Sequence, residues 1–307
     1  MTPFIAAVDW GTSSFRLWLL DADGQVIAES RSDEGMMKAR DIGFASVLDR
    51  HLDDVSAPAE LPVVICGMAG AKQGWREANY LETPAALKEL VENSVRIGAK
   101  RPIHILPGIC QRDVRYPDVM RGEETQLLGA VAEGTRSGLV CMPGTHSKWV
   151  QLDEGRVTRF STFMTGELYA AIAGHTILKL ALADQPDASP DAQAFSRAVL
   201  RAMENPEQVT ARLFSIRSGP LLGLAEAAEG AAKLSGELIG LELAGARAQF
   251  GRVEAVTLVG AGKLFELYRA ALEAASMKVH PVDADAAVRA GLLSAGTALF
   301  GQAVAGA

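Results

Sequence analysis

Residues Val8 to Arg16 read Val-Asp-Trp-Gly-Thr-Ser-Ser-Phe-Arg, and this stretch decides the fold of the chain. Apolar runs lie on both sides of its centre, from Phe4 to Val8 and from Phe15 to Leu20, so the sequence predicts two buried strands joined by a tight turn. Gly11 permits a close backbone approach at that turn. The next three residues are Thr12, Ser13 and Ser14. They offer hydroxyls and free backbone N–H groups of the kind that surround phosphate oxygens. The stretch predicts a phosphate-binding hairpin, and an ordinary β-hairpin is the alternative.

A second copy of this pattern lies between Val140 and Val157. Aligning Gly144 with Gly11, an offset of 133 residues, places a Thr and a Ser at matching positions, Thr145 and Ser147. Both copies continue through an apolar strand to Leu-Asp and a Gly-x-Val turn. Two similar β-β-β units predict two similar lobes, each offering a hairpin to one nucleotide.

This layout resembles the actin, hexokinase and heat-shock ATPase superfamily. The resemblance implies an α/β fold with two ribonuclease-H-like lobes and a nucleotide cleft between them. The chain would then divide into an N-terminal lobe, residues 1–133, and a C-terminal lobe, residues 134–307. A last helix at about 285–300 would pack back towards the N-terminal lobe.

The global composition agrees with a two-lobed enzyme. A chain of 307 residues is comfortable for two domains, and a hydrophobic content of 49% supports filled interiors. A net charge of −7 argues against nucleic acid as a partner. No signal peptide or membrane-spanning apolar run stands out, so we expect a cytoplasmic protein without a membrane partner. The oligomeric state stays open, with a homodimer as one alternative.

A Gly-rich segment from Cys66 to Tyr80, here called the substrate loop, follows the apolar strand Leu61 to Cys66. Open α/β sheets bind ligands at the carboxyl ends of their central strands. Hydrogen-bonding side chains and aromatic rings in this loop would suit a polyol acid. Its carboxylate could be bound by Lys72 or by Arg76. The predicted substrate-binding residues are Arg16, Lys72, Gln73, Trp75 and Tyr80. The alternative is that the two aromatic residues only pin the loop to its own lobe.

Two adjacent carboxylates open the predicted helix that runs from Gly122 to Gly134. Glu123 and Glu124 suit the positive end of the helix dipole, and a solvated face is the ordinary alternative. Because the pair precedes the second hairpin, one carboxylate could act as a catalytic base. Upstream, the pattern from Thr83 or Pro84 to about Arg96 predicts another helix.

Asp9 ends the first strand, where a carboxylate could hold a hydrated Mg²⁺ against phosphate groups. The offset places Met142 on Asp9, so the second hairpin has no equivalent acid. In that hairpin, His146 and Lys148 add polar or cationic character. Its predicted phosphate-binding residues are Gly144, Thr145, His146, Ser147 and Lys148.

Four further glycines lie on candidate nucleotide-binding segments of the second lobe. Gly236 and Gly240 interrupt a helical pattern, which predicts a close approach either by adenine or by a neighbouring helix. Gly260 and Gly262 lie between a predicted strand and a helix, a turn that suits ribose and phosphate groups.

The combined motifs resemble the 2-dehydro-3-deoxygalactonokinase family. They are Val8–Arg16, Cys66–Trp75, Met120–Gln126, Pro143–Trp149 and Phe163–Tyr169. The resemblance implies transfer of the γ-phosphoryl of ATP, with Mg²⁺, to the terminal hydroxyl of 2-dehydro-3-deoxy-D-galactonate, which gives the 6-phosphate in galactonate breakdown. The family pattern has a proline where this chain has Asn79, which leaves the shape of the substrate loop open.

Two other functions fit the superfamily. An exopolyphosphatase-like hydrolase has a similar Gly-x-Glu-Glu helix start but needs a cationic channel, which a net charge of −7 does not favour. An actin-like nucleotide switch usually has a longer chain. Counted from Gly122, Glu124 matches the first Glu of the exopolyphosphatase motif, which favours Glu124 over Glu123 as the base.

Overall fold

A computed structural model describes residues 1–98, 101–182 and 187–304, with side chains to residue 301. The strands are β1 (Ile5–Trp10), β2 (Phe15–Leu20), β3 (Val26–Ser32), β4 (Val63–Gly67), β5 (Leu81–Glu82), β6 (Ala85–Ala86), β7 (Val95–Ile97), β8 (Ile103–Ile105), β9 (Ile109–Arg112), β10 (Pro117–Met120), β11 (Gly138–Met142), β12 (Ser147–Asp153), β13 (Arg156–Phe163), β14 (Ala255–Gly260) and β15 (Lys278–Asp283). The helices are α1 (Met36–Ile42), α2 (Phe44–Asp54), α3 (Glu89–Glu92), α4 (Glu123–Ala132), α5 (Thr165–His175), α6 (Lys179–Leu182), α7 (Gln193–Glu204), α8 (Val209–Leu221), α9 (Gly230–Phe250), α10 (Gly262–Ala274) and α11 (Ala284–Val304).

Contacts divide the chain into two compact units. The first comprises Met1–Ser137, Leu152–Arg159 and Asp283–Ala307, and the second comprises Gly138–Gln151 and Phe160–Val282. The two units therefore alternate along the chain.

The first unit is built on a sheet with the strand order β3-β2-β1-β4-β8-β7. β1 pairs antiparallel with β2 and parallel with β4, so it lies inside the sheet, as its apolar sequence predicts. α11 packs against α4 with almost no space between the backbones. A Cβ on Gly129 would lie 1.9 Å from the Ala287 carbonyl oxygen, and one on Gly291 would lie 2.0 Å from that of Thr125. Glycine at both positions therefore lets the two helices touch.

The second unit repeats this arrangement of strands. Its sheet runs β15-β14-β11-β12-β13, and β11 pairs in parallel with β14. The order of β13, β12, β11 and β14 thus matches that of β3, β2, β1 and β4, which confirms the repeat predicted from the 133-residue offset. Helices α7, α9 and α10 contribute to its apolar core, which includes Phe195, Leu243 and Leu272.

Residues 83–96 do not form the predicted helix. Ala85 and Ala86 form β6 and pair with Val157 and Arg156 at the start of β13, and only the four-residue helix α3 follows. The Leu87 N–H also donates to the Gly155 carbonyl, at 3.1 Å. The prediction was wrong because these long-range backbone bonds override the local helical pattern. Among the described residues, no helix is both long and apolar enough to span a membrane.

Candidate functional site

The first hairpin is the tight turn between β1 and β2 that the sequence predicts. The Gly11 N–H donates to the Ser14 carbonyl at 2.8 Å, and the tip residues Thr12 and Ser13 are exposed. A Cβ on Gly35 would lie 2.5 Å from the backbone nitrogens of Ser13 and Ser14, so only glycine lets α1 begin directly against the turn. The exposed hydroxyls and backbone groups at the tip are suited to contact phosphate oxygens.

Asp9 lies at the end of β1, beside Cys66 on β4. The Cys66 thiol donates a hydrogen bond to Asp9 Oδ1, with a distance of 3.8 Å between the sulfur and the oxygen. Burial raises the pKa of Asp9, while the charge of Arg16 opposes that rise. A partly desolvated carboxylate gains from a nearby cation, and Mg²⁺ typically takes only one or two protein carboxylates besides phosphate oxygens and water. Asp9 therefore fits the role of a protein ligand for Mg²⁺ that is bound with a nucleotide.

Arg16, a predicted substrate-binding residue, forms an ion pair within the first unit. Its Nη1 lies 2.5 Å from Asp285 Oδ1, and Arg31 Nη2 lies 2.9 Å from Asp285 Oδ2. Asp285, in the first turn of α11, therefore fixes Arg16 close to Asp9. Sequence reasoning did not predict a role for Asp285, although an acidic residue in the first turn of a predicted helix is a recognisable pattern.

The two glutamates at the start of α4 have different environments. Glu124, preferred as the base from the sequence, is fully buried, and the Gly122 N–H donates to its Oε1 and Oε2 at 2.9 and 2.8 Å. Burial, followed by the charge of Glu123, raises the pKa of Glu124 to about 8. Glu123 is only partly buried, and its Oε2 accepts the Arg121 N–H at 3.0 Å. Its charge also contributes to the raised pKa of Asp9.

The raised pKa of Glu124 predicts a specific dependence of stability on pH. Between its ordinary pKa of 4.5 and about 8, the unfolded chain releases this proton and the folded protein keeps it. Within that window the contribution to the free energy of unfolding falls by up to about 1.4 kcal/mol per pH unit as pH rises. The Glu124→Gln variant has no proton to release at this position. In urea unfolding, its free energy of unfolding should therefore rise relative to that of the wild-type protein from about pH 5 to about pH 8. A constant difference across that range would contradict the buried neutral carboxyl.

The structure separates the members of the predicted substrate-binding set. Trp75 packs against Phe44 and Trp10, with ring centroids 6.1 Å away in both cases, so it pins the loop to its own unit. Lys72 and Gln73 have exposed side chains. The centre of the Tyr80 ring lies 4.3 Å from the guanidinium carbon of Arg121.

The second hairpin, between β11 and β12, is also present, but its residues have unequal access to a ligand. Gly144 and Thr145 line a cavity. His146 Nε2 lies 2.6 Å from the carboxylate of Glu167. Lys148 is buried, and its Nζ donates to the His146 carbonyl at 3.4 Å. We infer that the backbone of this turn is better placed than its cationic side chains to contact phosphate.

Ser147 faces inward and joins a buried hydrogen-bond network. Its hydroxyl lies 2.8 Å from that of Tyr268, which donates to Glu242 at 2.6 Å, and Trp149 Nε1 donates to the same carboxylate at 2.8 Å. Burial raises the pKa of Glu242. The Ser147 side chain therefore points into the core on the inward face of β12 and stabilises the hairpin through this network.

A cavity of about 380 Å³ lies within the second unit. Its polar part includes Thr145 and Lys263, and its apolar part includes Leu238, Ile239 and Leu267. An apolar cavity of this size with a few polar groups at one side is typical of a small-molecule site. Gly166 permits α5 to begin against the hairpin, since a Cβ there would lie 2.5 Å from the Gly144 carbonyl oxygen.

The four other predicted glycines fall into two groups. Gly260 and Gly262 lie at the turn between β14 and α10, next to the cavity-lining residue Lys263. Gly236 and Gly240 face α7, where added Cβ atoms would lie 2.6 Å from the Phe195 carbonyl oxygen and 2.4 Å from that of Val199. These two glycines therefore allow helix packing and are not among the residues that line the cavity, as the neighbouring-helix alternative predicts.

The repeated strand order and the two hairpins are those of the actin and hexokinase-like ATPase fold. A solved structure of the activator of 2-hydroxyisocaproyl-CoA dehydratase from Clostridium difficile shares this fold, with a TM-score of 0.52 and 12% identity over 98% of this chain and 97% of that one.

The chain belongs to the 2-keto-3-deoxy-galactonokinase family, whose model matches residues 9–295. A relative named as a 2-dehydro-3-deoxygalactonokinase in Rhizobium meliloti (strain 1021) is 58% identical over 97% of this chain and 98% of its own length. The 2-dehydro-3-deoxygalactonokinase of Escherichia coli (strain K12) is 35% identical over 96% of this chain and 98% of its own. A crystal structure from Sinorhizobium meliloti, described as that of a 2-dehydro-3-deoxygalactonokinase protein, matches with a TM-score of 0.93 and 58% identity over 97% of this chain and 99% of that one. The chain is therefore a phosphotransferase.

Proposed function

We propose that this protein is a cytoplasmic kinase that transfers the γ-phosphoryl of ATP to the 6-hydroxyl of 2-dehydro-3-deoxy-D-galactonate, forming the 6-phosphate in galactonate breakdown. Its relatives at 58% and 35% identity carry the name of that activity and align along nearly the whole chain. The observation that carries the proposal is that Gly67 lies between Asp9 and the start of α4, because a Cβ on Gly67 would lie 3.5 Å from Asp9 Oδ1 and a Cβ on Gly122 would lie 3.7 Å from the Gly67 Cα. A candidate base thus accompanies a candidate metal ligand.

Each group has a separate role in the proposed reaction. Asp9 would hold Mg²⁺, which neutralises charge on the phosphate oxygens during transfer. Glu123 would accept the proton of the attacking hydroxyl, since a base must come within about 3 Å of that proton's oxygen and Glu124 is enclosed by the fold. Thr12 and Ser13 of the first hairpin would contact phosphate oxygens. Arg16, held by Asp285, would add positive charge nearby.

The test is a coupled assay of ADP release over a panel of 2-keto-3-deoxy sugar acids. The proposal predicts turnover only when ATP and a sugar acid are both present, with 2-dehydro-3-deoxy-D-galactonate giving the highest kcat/KM. Incubations with ATP alone or polyphosphate alone are the controls. Phosphoanhydride cleavage without a sugar acid would favour the exopolyphosphatase-like alternative.

We also propose that the cavity of the second unit binds the adenosine part of ATP. Ser235 lines this cavity, and a Ser235→Phe substitution would fill part of it. We expect the KM for ATP to rise about tenfold or more with little change in the KM for the sugar acid, because the loss is confined to nucleotide binding. Steady-state kinetics would measure both constants. Ser215→Phe on exposed α8 is the matched control, and equal effects of the two substitutions would contradict the assignment.

A further inference from the structure

Arg121 contacts the substrate loop at three places. Its Nη2 donates to the Ala78 carbonyl at 2.8 Å, and its guanidinium carbon lies 4.3 Å from the centre of the Tyr80 ring. Its Nη1 lies close to Gly70, because a Cβ on Gly70 would be only 2.8 Å from that nitrogen. One side chain thus contacts the loop near its start and at its end.

The backbone of Arg121 contacts the start of α4. Its N–H donates to Glu123 Oε2 at 3.0 Å, and the next N–H, that of Gly122, donates to Glu124. Gly122 has a φ of +112°, a conformation that side-chain-bearing residues rarely adopt. The residue that holds the loop therefore also holds the candidate base, and a displacement of Arg121 would move both.

The guanidinium has an incomplete set of hydrogen bonds. Its Nε and Nη1 are buried and have no acceptor among the residues that the structure describes. An unpaired buried donor is costly, so an arrangement that served packing alone would be better met by an apolar side chain. The planar group can stack on Tyr80 while it donates to Ala78, a combination that a lysine ammonium does not reproduce. This geometry points to a requirement for arginine beyond the filling of space.

We propose that Arg121 is a positioning residue that fixes the substrate loop and Glu123 in one arrangement for the sugar acid. The proposal rests on the proposed function, since it takes the loop as the sugar-acid site. Arg121 does not need to touch the substrate. It sets the distance between the loop and the carboxylate that accepts the proton.

The test measures both Michaelis constants and kcat for Arg121→Lys, Arg121→Met, Tyr80→Phe and Tyr80→Ala. We expect both Arg121 variants to raise the KM for the sugar acid about tenfold or more and to lower kcat, while the KM for ATP changes by less than about twofold. Tyr80→Phe keeps the ring and should raise the sugar-acid KM less than Tyr80→Ala, which should shift in the same direction as the Arg121 variants. Arg101→Met is the matched control, because Arg101 also donates to a backbone carbonyl, that of Leu61 at 2.9 Å, away from the loop.

The outcomes separate this proposal from the function on which it rests. A wild-type enzyme that phosphorylates no sugar acid overturns both. A wild-type enzyme that does so, with Arg121→Met leaving the sugar-acid KM unchanged or shifting both Michaelis constants equally, overturns the positioning role alone. If Arg121→Met does not fold, as judged by its melting curve, Arg121→Lys and the two Tyr80 variants decide the question, and equal kinetics for Tyr80→Phe and Tyr80→Ala then overturn it.

Discussion

Asp9→Asn should lower kcat by about 10³-fold or more while the protein keeps its fold, because charge neutralisation by the metal supplies several kcal/mol in phosphoryl transfer. Asn keeps the size of the side chain and removes the negative charge that Mg²⁺ needs. The measurement is kcat over a range of Mg²⁺ concentrations, with a melting curve for each variant.

The environment of Asp9 and a matched control variant make this test specific. Burial raises its pKa, so the charged carboxylate costs free energy in the folded protein. The metal-free Asn variant should therefore be at least as stable as the wild-type protein, which separates loss of catalysis from loss of fold. Asp49→Asn, an exposed carboxylate on α2, is the matched control and should leave kcat unchanged. Near-normal kcat for Asp9→Asn at saturating Mg²⁺ would rule out the metal-binding role.

Glu123→Gln should lower kcat by about 10²–10⁴-fold with little change in the KM for ATP, the range expected for loss of a general base. The substitution keeps the side-chain oxygen that accepts the Arg121 N–H. It removes the charge that would accept a proton from the attacking hydroxyl. Steady-state kinetics at saturating sugar acid measure the effect.

Glu124→Gln is the internal control for this prediction. Its carboxyl group has a pKa of about 8, so the neutral amide closely resembles the form that dominates at neutral pH, and we expect a milder effect on kcat. The reverse ranking would identify Glu124 as the base, as the sequence alone suggested. If both substitutions are nearly silent, the start of α4 supplies no base.

The repeated sheet could be predicted because its signal is local and occurs twice. Each copy has apolar runs long enough for strands, with a glycine at the turn, and the offset fixes one copy on the other. The structure adds the same strand order to both sheets. The helix prediction for residues 83–96 was wrong because their conformation depends on pairing with Arg156 and Val157, at least seventy positions further along the chain.

Individual site residues were harder to predict than strands. Gly236 and Gly240 show that a glycine on a helical pattern marks a close approach without saying what approaches. Ser147 has a hydroxyl in a phosphate-hairpin motif, yet its side chain is buried under Tyr268. Arg121 lies beside the glutamates with no local pattern of its own, because its contacts are made with a loop some forty residues earlier. Side-chain direction and long-range contact were the missing information.

The most direct test of the proposed function is phosphorus NMR of the product formed from ATP and 2-dehydro-3-deoxy-D-galactonate. The proposal predicts one new phosphomonoester signal, coupled to the two protons on C6, that grows in step with ADP. Release of inorganic phosphate in its place, or a phosphomonoester on another carbon, would contradict it.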